Sequence, residues 1–315
     1  MRSHKYVAVA AALGAVVVLS LSARPGAQGR GRGGTAEPSL PTPKLADGTV
    51  NLGRVPGEKG YWNTPYITNM GARVIDPSTG KPFPLVQRGP APARGGAINP
   101  AGGGEGGGGG GRGGAPAEPF VPFQPWAAAL YNYNSKNQSQ YDPEGYCLPP
   151  GGPRLMATPY PMDIIQLPDH KRVIMIFEGA AHIWREIYTD GRPHPTGDAL
   201  NPTYLGHSVG HYEDNGQTFV IDSVGFNEST WLDYFGHPHT GLAHFVEKFS
   251  RPNKNTLHFE AQIDDPGAYT KPWNVAWDIP WNASGEVTEY ICQENNRFML
   301  GLTDDFGEPV FKQRK

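Results

Sequence analysis

The chain has 315 residues and a formal net charge of −3, with its 27 lysines and arginines scattered rather than gathered into a stripe. That excludes a nucleic-acid surface, which needs a basic patch or face. Forty-two glycines and 32 prolines are placed unevenly, and their placement sets the domain boundaries.

Arg2 and Lys5 precede an almost unbroken apolar run from Val7 to Leu21, and small or helix-breaking residues follow (Ser22, Ala23, Pro25, Gly26, Ala27). Charge, apolar stretch and small residues in that order read as a secretory signal peptide over 1–27. A membrane-spanning helix needs about twenty apolar residues, and no later segment supplies them. The chain is therefore expected to be exported, periplasmic or extracellular, without stable membrane insertion. In an oxidising compartment Cys147 and Cys292 form the one available disulfide, with two free buried thiols as the alternative.

Residues 28–43 and 89–119 are low in complexity, the second running from Gly102 to Gly114 with only Glu105 and Arg112 interrupting. Such segments bury too little apolar area to offset chain entropy and are expected to be disordered. Between them, 44–88 carries a turn at Asp47-Gly48 and a short strand at Gly60-Tyr61-Trp62. In the arm over 120–161, proline opens a helix at 125–137, with Trp126, Leu130 and Tyr133 available to pack. Proline-rich, irregular chain around Cys147 completes the arm.

From 162 to 296 the pattern becomes that of strands, at 162–167, 172–178, 182–189, 205–213, 218–224, 241–250, 256–263, 273–279 and 286–293; residues 297–315 form a tail. Short connections make a long antiparallel meander, which tends to close and remove its edges. The expected fold is all-β, an up-and-down antiparallel barrel of lipocalin-like form with one or two short helices; a sandwich is the alternative.

Asn215-Gly216 is a hairpin signature because both positions need positive φ. With that turn as centre, Asp214 pairs with Gln217, Glu213 with Thr218, His211 with Val220, Val209 with Asp222 and His207 with Val224. One face carries His207, Val209, His211, Glu213, Thr218, Val220, Asp222 and Val224. Asp222 lies diagonal to both histidines, at the roughly 7–8 Å spacing that long side chains bridge. The other face carries Ser208, Gly210, Tyr212, Phe219, Ile221 and Ser223 and is the more apolar. A polar lumen would let Asp222 orient His207 or His211 as a general base. A lumen lined by Tyr212, Phe219 and Ile221 would suit a carrier and leave the histidines to solvent.

The following loop, 227–239, is unusually aromatic for a surface connection. As a lid over the barrel mouth it would offer Trp231 for stacking and Asn227, Asp233 and His239 for polar contacts; as a plug it would bury its tryptophan. Ser229 or Thr230 would cap a helical turn there. Arg185 and Glu247 sit on inward-facing positions of their strands, where they either pair with each other or hold polar substrate groups. His170, His182, His194 and His258 gain no partner from the pattern. No compact metal motif is present, Asp264-Asp265-Pro266 lacks the spacing of a calcium loop, and neither metal nor cofactor is expected.

Several stretches recur together: Asp142-Pro143 leading to Cys147-Leu-Pro-Pro, Thr189-Asp-Gly-Arg-Pro-His-Pro195, Gly206-His-Ser-Val-Gly210, Val220 to Asn227, Thr230-Trp-Leu-Asp233 and Glu289-Tyr-x-Cys292-x-Glu294. On these the chain resembles a group of uncharacterised exported proteins of acidobacteria-like soil bacteria, over about residues 45–296 apart from the glycine insertion. That resemblance implies export and transfers no activity. Gly60-x-Trp62 separately is similar to the first-strand signature of lipocalins and agrees with a barrel. Two functions follow from the residues. One is acid/base hydrolysis or elimination on a small or carbohydrate-like molecule by His207, His211 and Asp222, with Arg185, Asn227, Trp231, Asp233, His239 and Glu247 as binding groups. The other is a carrier of a small apolar or aromatic ligand.

Overall fold

A computed structural model describes residues 40–76, 78–83, 120–137, 140–179, 183–294 and 296. The segments read as signal peptide (1–27), glycine-rich insertion (89–119) and tail (297–315), residues 28–39 of the segment 28–43, and His182, lie outside them.

Strands β1 (Tyr61–Asn63), β2 (Val74–Asp76), β3 (Lys81–Pro82), β4 (Pro161–Leu167), β5 (Arg172–Phe177), β6 (Trp184–Tyr188), β7 (His207–Glu213), β8 (Thr218–Val224), β9 (His244–Asn253), β10 (Thr256–Asp264) and β11 (Trp273–Asn282) belong to one sheet. The order β1-β4-β5-β6-β7-β8-β9-β10-β11 closes because β1 also pairs with β11, and β2-β3 extend from β11 as a side hairpin. Closure removes the exposed edges that a meander of this length would present. The helix α1 (Pro125–Asn137) has the bounds expected from Pro125.

Two expectations are corrected. Residues 286–293 form no strand, and the ring is closed instead by the three residues of β1. The ring also departs from up-and-down order at one place, where β6 and β7 pair in parallel through Ile187–Ser208 and Tyr188–Val209. A closed ring of nine strands cannot alternate direction throughout, so one parallel pair is required. It is reached by a crossover over 189–206 that returns along the outside of the wall. The crossover is pinned by Thr203, which pairs with Phe226, and by Leu200, which lies over Gly225. Gly225 has a φ of +75°, and a Cβ there would stand 2.7 Å from Leu200.

The β7–β8 register is the expected one from Glu213–Thr218 to His207–Val224. Its connection differs slightly: the ladder ends at Glu213–Thr218, Gln217 N is shared between the Asp214 and Glu213 carbonyls (3.2 Å each), and Asp214, Asn215 and Gly216 all take positive φ. The face of Ser208, Tyr212, Phe219, Ile221 and Ser223 points inward. The interior is filled by Trp62, Met162, Phe219, Phe245, Phe249, Phe259, Trp273 and Trp277, all buried. Nine strands enclose little more than side chains can fill. At one mouth a crevice of about 10 Å3 lies between Pro150, Leu155, Thr158, Tyr160, Phe177 and Gly179. Cys147 and Cys292 form the disulfide across 145 residues, a loop whose closure removes roughly 5 kcal/mol of unfolded-chain entropy.

Within this apolar interior sits one ion pair, Arg185 with Glu247, at 2% and 0% exposure. Arg185 also donates to Ser208 Oγ (3.1 Å) and Ser223 Oγ (2.8 Å), so three strands converge on one guanidinium. Its Nη1 and Glu247 Oε1 have no hydrogen-bond partner among the described residues. The pairing raised from the sequence is present, and both residues face away from the outer wall. Removing one partner strands a buried charge, whereas replacing both restores an apolar fit. Glu247→Ala is expected to cost about 3–5 kcal/mol in urea unfolding, and Arg185→Met with Glu247→Leu markedly less. An additive loss in the double variant would contradict the coupling.

Candidate functional site

Strand parity sends the His/Asp face of the β7–β8 hairpin to the outer wall. There the crossover lowers His194 onto it. His194 Nε2 lies 2.9 Å from Asp222 Oδ1, and His194 Nδ1 lies 2.8 Å from His207 Nδ1. His244, the first residue of β9, places its Nε2 2.9 Å from the same Asp222 oxygen. All four side chains are half-buried. The His207 ring stacks on Tyr188 at 5.3 Å and 24°, and the Arg192 and Arg172 guanidinium carbons lie 4.0 and 4.4 Å from the centre of that tyrosine ring. Asp190 pairs with Arg192 (2.6 Å), and Glu186 with Arg172 (2.8 Å).

The network assigns the tautomers in sequence. A carboxylate can only accept, so His194 carries a proton on Nε2, and in the single-proton form of that ring Nδ1 is a lone pair. His207 then donates from Nδ1, which leaves His207 Nε2 as a bare lone pair. Burial, followed by repulsion from the protonated form of His194 and from Arg192, holds His207 below the ordinary histidine range, so it is neutral at neutral pH. The hydrogen bond to Asp222 raises His244 against an opposing burial effect. The bond from His244 is the largest influence on Asp222 and, with that from His194, keeps its carboxyl below the usual range although burial opposes them.

Among the residues proposed as catalytic, His207 and Asp222 are brought together, but through His194 rather than by direct contact. His211 is exposed, 3.3 Å from Glu213, which Lys248 also binds at 2.9 Å, and it stands outside the cluster. His194 gains the partners that the pattern alone did not supply. His258 likewise lies 2.7 Å from Asp278 and 3.1 Å from Glu260. His244 escaped the sequence reading. Phe245, Glu247 and Phe249 face inward, so alternation alone turns His244 outward. What was missing was its register beside β8, because the connection over 225–243 is too long to set one.

The groups expected on the lid instead close the barrel mouth. Leu232, Asp233, His237 and His239 are buried and Trp231 is half-buried. Asp233 accepts from the Met70 amide (2.6 Å), from the Gly236 and His237 amides and from His237 Nδ1 (2.7 Å). The His237 ring stacks against Phe123 and lies tilted beside Tyr131 and Trp273. His239 Nε2 pairs with Thr230 Oγ1 (2.7 Å), so Thr230 caps no helical turn, and Asn227 Oδ1 accepts from the Ser229 amide. Asp265 binds Thr240 and the Gly267 amide. Among the described residues no group of three or more His, Cys, Asp or Glu is arranged to hold a metal ion, and no helix is long and apolar enough to cross a membrane.

No family model, curated protein or solved structure matches the chain.

Two measurements follow from the geometry. In an imidazole NMR titration His207 should ionise below and His244 above the ordinary value of about 6.5, with Asp222→Asn bringing His244 down; coincident titrations would remove the basis for the tautomer chain. In the mouth, burial holds His239 below its ordinary range. The unfolded chain therefore binds the extra proton first, and stability falls as pH drops below about 6.5. His239→Gln should flatten that part of a stability–pH curve, and an unchanged slope would count against a neutral buried His239.

Proposed function

We propose that the protein is an exported β-barrel enzyme in which His207 acts as a general base. The observation that carries this reading is the hydrogen-bonded chain His207–His194–Asp222 on the outer wall. A proton taken by His207 Nε2 creates an imidazolium whose Nδ1–H already points at a neutral histidine, itself held by a carboxylate. That charge is stabilised without further movement, which is what positioned bases contribute to a rate. Asp222 and His194 are positioning residues in this reading, and His207 is the catalytic one.

The reaction class is hydrolysis or elimination on a small or carbohydrate-like molecule. His207 Nε2 removes a proton from bound water or from a substrate carbon, and Arg192 and Tyr188 beside it hold polar substrate groups. The carrier reading needs space inside the barrel, and the aromatic interior supports it less. Arg185 and Glu247, set in that interior, serve the fold. The disulfide supports an oxidising, exported setting.

A panel of p-nitrophenyl esters and glycosides with β-elimination substrates tests the proposal. Turnover of at least one is expected, with His207→Gln slowing it about 10²–10⁴-fold. Asp222→Asn should slow it less while leaving the melting temperature near that of the parent. Full activity in His207→Gln would sink the reading.

A further inference from the structure

The helix α1 is built inside out. Its inward stripe, spaced as one face of a 3.6-residue period, is Ala127, Tyr131, Asn134 and Ser135, all buried. Two of these four are polar. Asn134 Nδ2 donates to the Gly236 carbonyl (3.0 Å), at a place where a Cβ on Gly236 would stand 2.3 Å from Asn134 Cβ. The adjacent stripe, Trp126, Leu130 and Tyr133, is exposed at 46%, 38% and 53%, and Tyr141, at 45%, stacks on Tyr133 at 5.7 Å and 24°. The residues expected to pack are thus turned to the outside, while Ala127 and the Tyr131 ring share the inner side with two polar residues, Asn134 and Ser135. A soluble helix with its apolar stripe outward marks a surface that covers something else.

The size and chemistry of the stripe decide what that is. Each of these side chains shows about half of the 150–250 Å2 an aromatic carries, so together they present roughly 400 Å2. A stable protein interface takes roughly 800 Å2 per partner, which argues against a second copy. Residues 84–119 hold only Leu85, Val86 and Ile98 as large apolar residues and bring no aromatic to match, and in 297–315 the phenylalanines Phe298, Phe306 and Phe311 are interspersed with charges such as Asp304, Asp305, Glu308 and Lys312 that a neutral face does not pair. The helix carries one charge, Lys136, and no acid, too little to attract nucleic acid or an anionic lipid surface. Around the rings are neutral amides: Asn132 and Asn137 each donate Nδ2 back to the helix, to Ala128 and Tyr133 carbonyls, which leaves each Oδ1 to accept from a ligand. Rigid aromatic faces with a rim of neutral acceptors suit a flat molecule that is apolar on its ring faces and hydroxylated at its edge. Trp126 and Tyr133, seven residues apart, are about 10 Å apart along the helix axis, a span that calls for more than one sugar ring.

We infer that the exposed stripe of α1 with Tyr141 is a docking platform for a neutral glycan chain, stacked on Trp126 and Tyr133 and hydrogen-bonded by the flanking amides. This site is separate from the histidine cluster and stands whether or not His207 is catalytic.

The full chain is run in native gels containing hydroxyethyl cellulose, glucomannan or arabinoxylan, with titration of cellohexaose or mannohexaose by calorimetry. Retardation in at least one gel is expected. Tyr133→Ala should weaken binding at least about tenfold, as expected for loss of one stacking ring. Trp184→Ala, an exposed tryptophan on the barrel wall, should behave as the parent. Because Trp126 Nε1 donates to the Gly267 carbonyl (2.8 Å), Trp126→Ala can loosen the helix, and Tyr133→Ala with Leu130→Gln then carry the test at unchanged melting temperature. The inference is overturned by free migration in every gel or by retardation that ignores these substitutions. It is equally overturned by a Tyr133-dependent dimer in sedimentation or Tyr133-dependent pelleting with phosphatidylglycerol vesicles.

Discussion

An odd number of strands closed into a ring must contain a parallel neighbour, and much of this molecule follows from that constraint. Strand alternation carries the chain around eight of the nine junctions, and at β6–β7 it has to return on the same heading. A parallel pair cannot be joined by a tight turn, so eighteen or so residues must cross the barrel's outside. Those residues bring His194 over β7 and β8. Without the crossover, Asp222 and His207 would face solvent as neighbours on adjacent strands with no group between them. With it, a four-member network of imidazoles and one carboxylate is half-shielded on a wall that would otherwise be an ordinary polar face.

The interior explains why the histidine cluster sits outside. Phe219, Phe245, Phe249, Phe259 and Trp277 from successive strands pack around the Arg185–Glu247 pair with its two serines, and Arg251 lies over Trp62 farther along β9. A buried ion pair of this kind adds little net stability, since desolvation offsets its attraction. Its geometry does tie β6, β7, β8 and β9 together behind the wall that bears His207, Asp222 and His244. The mouth is closed in the same manner. The Asp233 carboxylate is desolvated, yet the His237 charge and hydrogen bond and the amide bonds leave it below its usual range. It thereby anchors the plug from within rather than offering a polar group to a ligand.

The parts of the fold that were legible in the sequence are those governed by local rules. Alternation located β4 to β11 within a few residues, Pro125 marked the helix start, and Asn215-Gly216 set the β7–β8 register that places His207 and Asp222 on one face. Alternation does not say which face is inside; that depends on the summed volume of residues from all nine strands. Closure by β1 was legible only as Gly60-Tyr61-Trp62, three residues whose partners lie more than ninety positions away. The 286–293 segment forms no strand, and β1 occupies the place beside β11. His194 could not be placed, since a loop has no period from which to read a direction, and His244 lacked a register across a nineteen-residue connection. The helix shows a different failure: apolar spacing located the stripe of Trp126, Leu130 and Tyr133, yet packing selected the other stripe for burial.

The connection over 225–243 joins these features physically. It leaves β8 three residues beyond Asp222, at Gly225 under Leu200 of the crossover, and enters β9 at His244. Between those ends it forms the plug, where Asp233 and His237 are buried and Gly236 receives Asn134 of α1. Asp222 and His244, bonded to each other in the cluster, are thus separated in sequence by the segment that seats the helix. The β8–β9 ladder, in register at Asp222–Val246 and Ser223–Phe245, sets their spacing as diagonal neighbours, while the segment between them is anchored at each end. A polar stripe of α1 turned inward serves this anchoring, because Asn134 can hold the Gly236 carbonyl where an apolar side chain could not. The apolar stripe left outside is the structural consequence of that choice, and the two departures from ordinary patterning in the chain, a covered polar wall and an uncovered aromatic helix, share one connecting loop.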